Sequence, residues 1–309
     1  MVTISNADRV VFPAIGRTKG EVVAYYERIA ARLLPHILDR PLSIKRFPKG
    51  LAAGGFFQKN VPAHYPKTFG HFEVPRQPRK GEKAMGVTSY PVVTEAEHLP
   101  YLANQGAIEL HVPTSRIDAI DHPDRVIIDL DPPVGEDVAL VRKAALLTRD
   151  FVGRLGLATV PVATGSKGYH LVARIEPTLD AHVLGEAMHG AGALLAHAYP
   201  DTLTIAFRTA ARGKRVFIDW LRNRTMATAV APFSLRARPS ASIATPLAWS
   251  ELESVAPDGF TIADVDCLLD RPDPLAAQSP ADARPFAAAV DEALATAGIV
   301  LERFDRFRS

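Results

Sequence analysis

Val126-Ile127-Ile128-Asp129-Leu130-Asp131-Pro132-Pro133 is an apolar run that ends in two acids one residue apart and is stopped by two prolines. Its β-branched residues read as a strand, in which residues i and i+2 point to one face. Asp129 and Asp131 are therefore expected side by side, with Leu130 turned into the core. Neighbouring carboxylates repel unless a cation lies between them, and hard oxygen donors suit Mg²⁺ or Mn²⁺. The plainer alternative is a strand end carrying two solvated acids.

A third acid bears on that choice. Val216-Phe217-Ile218-Asp219-Trp220 is a second apolar strand with one aspartate among bulky residues. A carboxylate there is unfavourable unless it is paired or binds metal. Otherwise it faces solvent from an edge strand or pairs with Arg215. Three acids from two strand ends can hold two cations and leave room for phosphates, as metal-assisted phosphoryl or nucleotidyl transfer requires.

Working outward, Thr164-Gly165-Ser166-Lys167-Gly168-Tyr169-His170 is a Gly-rich segment between two apolar stretches. The glycines let backbone N–H groups turn toward an anion, while Ser166 and Lys167 add a hydroxyl and a positive charge. The spacing is not that of a Walker A loop, and the same pattern serves as an ordinary hairpin turn. His170 and His111 (in Glu109-Leu110-His111-Val112-Pro113) are each either core histidines or phosphate contacts. Arg208, Arg212, Lys214, Arg215, Arg222 and Arg224, followed by Arg236 and Arg238, form either a solvated face or a set of phosphate-binding forks. Lys45-Arg46-Phe47 and Phe56-Phe57-Gln58-Lys59 interleave cations with aromatics, which can grip phosphates while a ring stacks on a base. Strand alternation predicts that one of Phe56 and Phe57 is core.

The chain of 309 residues is 47% hydrophobic and 23% charged with a formal net charge of +2, so any polyanion site must come from local clustering. The single cysteine, Cys267, excludes an internal disulfide and a multi-cysteine zinc site, and its apolar surroundings predict a buried thiol. No leader-like or long apolar run appears, which predicts a cytoplasmic protein with no membrane partner. Thr18-Lys19-Gly20-Glu21 has the capping-box pattern and opens a helix whose apolar residues recur up to Pro35. Helices are also predicted over 137–155, 180–199 and 285–298, and strands over 107–112, 125–130, 159–164, 169–175, 203–207 and 215–220. Residues 75–83 read as a basic loop. No repeat or linker is visible, so the expectation is one α+β or α/β domain spanning 1–309.

The order of these pieces narrows the family. Polymerase-beta-type nucleotidyltransferases carry their Gly-Ser turn before the paired aspartates, whereas here it follows them. Asp129-x-Asp131, then Ser166-x-Gly168-x-His170, then an apolar run ending in Asp219 resembles the archaeo-eukaryotic primase superfamily. More closely, the chain is similar to the polymerase domain of bacterial ligase D and its stand-alone, ligase C-associated relatives. The likeness runs through Asn6-Ala7-Asp8-Arg9-Val10-Val11-Phe12-Pro13, Lys45-Arg46-Phe47-Pro48-Lys49-Gly50, Phe56-Phe57-Gln58-Lys59, Glu109-Leu110-His111-Val112-Pro113 and Ala231-Pro232-Phe233-Ser234-Leu235-Arg236.

The resemblance implies an α+β primase-like core, with central mixed or antiparallel sheets in an RRM-like module flanked by helices. It implies that Asp129, Asp131 and Asp219 hold two ions, Mn²⁺ in preference to Mg²⁺. Ser166, Lys167, Gly168, His170, His111, Arg212 and Arg236 would surround a nucleoside triphosphate, ribonucleotides being favoured over deoxyribonucleotides. Lys45, Arg46 and Lys59, with Lys19, would receive the 5′-phosphate of gapped DNA, and Phe56 or Phe57 would stack at the template. The implied role is a nucleoid-associated repair polymerase that fills short gaps or breaks, in end joining or excision repair. A primer-independent primase and a non-catalytic DNA-end-binding module are the alternatives. The chain carries no Lys-x-Asp-Gly ligase motif, so a separate ATP-dependent DNA ligase is the expected partner. It departs from the family pattern at Arg222, where a neutral polar residue is expected.

Overall fold

The computed structural model describes residues 3–76, 85–135 and 137–301. It is an α+β protein in which strands and helices gather into two compact units. The first comprises residues 1–118, 228–244 and 260–272, and the second 119–227, 245–259 and 273–309. Each unit is assembled from three separate stretches, which is why no linker marks the division in a sequence read as one domain.

In the first unit, Thr18 caps the helix Lys19–Ile37 through the reciprocal bonds of a capping box with Glu21. Val22, Tyr26, Ile29 and Leu33 of that helix are buried in the unit's hydrophobic core. Pro35 sits inside its last turn, so the helix runs two residues past the predicted stop. Beside it lies a four-stranded sheet in the order Thr228–Val230, Ala107–Pro113, Ser43–Arg46, Phe56–Gln58. A separate hairpin pairs Gly70–Arg76 with Gly86–Val92. Pro75 and Arg76 therefore end a strand; the rest of the expected basic loop, 77–83, lies outside the described residues.

Two expectations fail in this unit. Phe56 and Phe57 are both exposed, at 51% and 54%. Their strand is short and forms the edge of the sheet, so alternation turns the rings to opposite faces without burying either. Cys267 is exposed as well, because the helix Val265–Asp270 turns Val265 and Leu268 inward and presents the cysteine on its other side.

The second unit is built on a six-stranded mixed sheet in the order Leu203–Thr204, Val216–Asp219, Arg125–Asp131, Tyr169–Arg174, Val160–Ala163, Thr245–Pro246. All its neighbouring pairs are antiparallel except Leu203–Thr204 with Val216–Asp219. Helices Val138–Arg154 and Ala181–Ala198 pack against it, N-capped by Asp137 and Asp180. The last predicted helix is Arg284–Ala297, closed by left-handed Gly298. Among the described residues, no helix is long and apolar enough to cross a membrane.

Candidate active site

Register places the acids. Asp129 lies on a central strand, directly opposite Asp219 on one neighbour and His170 on the other. Cross-strand partners share a face, so Asp219, Asp129 and His170 form one row across the sheet. Asp131 is on the same face, two residues further along. One oxygen from each of Asp129, Asp131 and Asp219 lies within 4.8 Å of the others. This all-oxygen donor set matches the chemistry of Mg²⁺ or Mn²⁺.

The electrostatics separate the acids. Burial raises the pKa of Asp129, but His170 and Arg222 outweigh it and bring the group down to about 2. Asp131 goes the other way: burial, then the charges of Asp129 and Asp219, push it up to about 6. Asp219 is also raised, chiefly by burial, against the pull of Arg222. His170 Nε2 lies 3.5 Å from Asp129 Oδ1, and Arg222 Nε donates to Asp129 Oδ2 at 3.0 Å. Arg222 Nη2 sits 3.1 Å from Asp219 Oδ2. In the sequence Arg222 stands out as one cation of a basic run and as a departure from the family pattern; the fold turns it into the ion-pair partner of two acids.

The Gly-rich segment is a tight hairpin turn joining Val160–Ala163 to Tyr169–Arg174, with Thr164 Oγ1 donating to the Gly168 carbonyl at 2.8 Å. Gly168 is required by space: a Cβ there would stand 2.0 Å from the Leu130 carbonyl oxygen, on the strand that carries the acids. The Gly165 N–H donates to the Pro257 carbonyl at 2.7 Å, so this amide is not turned toward an anion as its sequence suggested. Lys167 is exposed and Ser166 half-buried, and both line a cavity of about 250 Å³ with Pro132 and Pro133. Arg212 caps its own loop, donating to the Ala206 and Phe207 carbonyls at 3.0 and 2.9 Å, with its guanidinium 3.7 Å from the Phe217 ring centroid. Its charge still reaches Asp219 and lowers that acid's pKa.

The first unit gathers a different cluster. On the strand Ala107–Pro113, Glu109 and His111 share a face, and Glu109 is in register with Lys45. Glu109 takes four partners: His111 Nε2 at 2.9 Å, Arg236 Nε at 3.3 Å, Lys45 Nζ at 3.4 Å and the Ala237 N–H at 3.0 Å. Burial alone would raise its pKa, yet His111, Arg236 and the Ala237 N–H together bring it down to about 2. His111 is lowered, first by burial, and its ring meets Phe57 edge-on at 5.4 Å. The Ala231–Arg236 motif explains how Arg236 arrives there. Phe233 takes a left-handed φ of 63°, its N–H bonded to Ala244 and its carbonyl to the Tyr25 hydroxyl, while Ser234 Oγ accepts from the Leu110 N–H. The sequence alone points to no role for Glu109; the Glu-x-His alternation on one strand face is its only signal.

The expected DNA contacts also lie in this unit. Lys45 stands over the rings of Phe47 and Phe57, and Arg46 over Phe56. Lys59 is exposed. Lys19 is buried and donates to the carbonyl and hydroxyl of Ser5 at 2.6 and 2.9 Å. It lines a cavity of about 190 Å³ together with Asn6, Arg9 and Arg46. In the sequence Asn6 and Arg9 stand out only as members of the motif Asn6–Pro13.

Residues 18–275 match the model of the LigD primase-polymerase domain. The chain belongs to that family. It is 34% identical over 263 residues to the multifunctional non-homologous end joining protein LigD of Mycobacterium bovis, covering 82% of this chain and 34% of that protein. The bifunctional non-homologous end joining protein LigD of Bacillus subtilis is 27% identical over 86% of this chain and 42% of its own length. The chain thus spans about a third to two-fifths of these curated relatives. The structure matches the polymerase domain from Mycobacterium tuberculosis ligase D in complex with DNA at a TM-score of 0.82 and 31% identity, over 91% of this chain and 99% of that one. The family is one of DNA-directed nucleotidyltransferases, and the α+β core expected of it is the one observed.

Proposed function

We propose that this chain is a template-directed DNA-repair polymerase that adds nucleotides, ribonucleotides in preference, to primer 3′ ends at short gaps or breaks bearing a downstream 5′-phosphate. The observation that carries this reading is the row Asp219–Asp129–His170 with Asp131 on the same face, beside the Ser166-Lys167 turn. Asp129, Asp131 and Asp219 would hold two divalent ions, Mn²⁺ or Mg²⁺. When bound, such ions supply Lewis-acid activation of the 3′-hydroxyl and charge neutralisation at the leaving pyrophosphate.

The protein's own part is to fix the acids by sheet register and to offer donors to phosphate oxygens. Ser166, Lys167 and His170 in the second unit are assigned to the triphosphate, with Gly168 shaping the turn that presents them and Arg212 nearby. His111 and Arg236 in the first unit, held in place by Glu109, are assigned to nucleotide phosphate within that unit's own cluster. The cavity lined by Asn6, Arg9, Lys19 and Arg46 is assigned to the downstream 5′-phosphate, with Lys45 and Lys59 as further backbone contacts and the exposed Phe56 and Phe57 as stacking surfaces. An ATP-dependent ligase would seal the product, and the setting would be the nucleoid in the cytoplasm.

The test is extension of a primer on 5′-phosphorylated gapped duplexes, comparing ribo- with deoxyribonucleotides and Mn²⁺ with Mg²⁺. Extension that needs the 5′-phosphate and favours ribonucleotides with Mn²⁺ is the expected result. Equal extension on gaps with and without the phosphate removes the gap-filling assignment.

A further inference from the structure

The acid cluster already contains a cation. Arg222 lies in the 3-10 turn Trp220–Asn223 that begins directly after Asp219. That turn is fixed to the acid-bearing strand by the buried Asn223, whose side chain accepts from the Ile127 N–H at 2.8 Å and donates to the Ile127 carbonyl at 2.7 Å. So anchored, the guanidinium reaches Asp129 Oδ2 with Nε and Asp219 Oδ2 with Nη2. The other oxygens are engaged too: Asp129 Oδ1 faces His170 Nε2, and Asp219 Oδ1 accepts from the Leu221 N–H at 3.1 Å. Among the described residues, Asp131 alone of the three has no hydrogen-bond or ion-pair partner. A divalent ion shared by these carboxylates must therefore meet oxygens that Arg222 holds. The Arg222 side chain is 36% exposed, which leaves it an open path away from them.

We propose that Arg222 is a displaceable counter-cation: it neutralises Asp129 and Asp219 before metal arrives and competes with the metal for them. This rests on the reading of the three acids as a metal centre. A site whose fourth charged group is a cation already paired to two of the acids binds divalent ions more weakly than the acids alone would, because the ion must break two ion pairs and sit near a like charge. The residue would then set the metal concentration at which the centre assembles, holding the acids together below it.

The test uses Mn²⁺ alone, titrated into the full chain and followed by loss of the free-ion electron paramagnetic resonance signal, with thermal melting in EDTA and in Mn²⁺ as a second readout. R222Q is expected to bind Mn²⁺ about tenfold more tightly than wild type. It should melt lower in EDTA and gain more on adding Mn²⁺ than wild type gains. R222K, which keeps the charge and loses the fork, should fall between the two and serves if R222Q does not fold. Mn²⁺ affinity in R222Q or R222K equal to or weaker than wild type overturns the competition. D129A separates this from the underlying reading: if wild type and D129A take up Mn²⁺ equally, the metal centre itself is wrong and the proposal falls with it.

Discussion

The two units each bury a carboxylate among charged neighbours, but the balance of charge is opposite. In the second unit three acids share one guanidinium and one imidazole. In the first, a single acid, Glu109, is met by Lys45, Arg236 and His111. An acid-rich cluster that holds a single guanidinium is still short of positive charge, so it is suited to bind metal. A cation-rich cluster tied to one acid is complete as a structural knot, and its excess positive charge is suited to an anion such as a phosphate. Removing an acid should therefore have different consequences at the two places.

The largest effect is expected at Asp129, the centre of the cross-sheet row. Asp129→Ala should lower primer extension by about a thousandfold, the scale of losing metal-assisted transfer. Binding to 5′-phosphorylated gapped DNA, read by fluorescence anisotropy, should stay unchanged. A variant that still extends primers with Mn²⁺ would break the assignment of the cluster to chemistry.

Glu109→Gln comes next, and its effect is on stability. It leaves Lys45 and Arg236 facing a neutral amide and is expected to cost about 3 kcal/mol in urea denaturation, as when one partner is taken from a buried ion pair. The comparison sharpens if the loss is carried by the unit that holds Glu109, which hydrogen exchange of the strand Ala107–Pro113 would show.

That contrast marks how far the sequence could be read. A β-branched apolar run located the strand that ends in Asp131, alternation put its two acids on one face, and the proline stop put the pair at its rim. The capping box located the helix at Lys19, and the helices predicted from 137 and 180 begin within a residue, at Val138 and Ala181. What alternation cannot contain is register: nothing in the chain states that Asp219 and His170 stand on either side of Asp129. Arg222 was invisible as a partner for the same reason, since its role comes from a turn pinned by Asn223. Phe56 and Phe57 misled because alternation sorts faces without saying whether a face is covered. Glu109 and His111 alternate in an apolar strand, but two of the acid's partners, Lys45 and Arg236, come from 64 and 127 residues away along the chain.

The pH dependence of stability probes the cation-rich cluster further. Burial holds His111 below its ordinary 6.5, and Glu109 is brought from 4.5 to about 2. Both depressions mean that the unfolded chain binds more protons than the folded one as pH falls, so stability falls with it. The Glu109 contribution is fully present above about pH 4.5 and disappears as pH drops toward 2. Urea midpoints taken from pH 7 to pH 3 should decline for wild type, and E109Q should lose less over the lowest pH unit. Parallel curves for the two proteins would show that Glu109 is not held down by its neighbours.

The smallest effect, and the one whose sign matters most, is expected at Asp131. Its carboxylate lies beside two others and has no partner of its own among the described residues, so in EDTA burial and the repulsion from Asp129 and Asp219 outweigh the pull of Arg222 and His170 on its charge. Asp131→Asn keeps the shape and removes that charge. The variant should be as stable as wild type or more stable by about 1 kcal/mol in EDTA. With Mn²⁺ present, wild type should gain stability and the variant should gain little, because a neutral amide is a poor ligand for a hard cation. Loss of stability in EDTA, as at Glu109, would mean that the three acids form a finished ion-pair network, and the distinction between the two clusters would collapse.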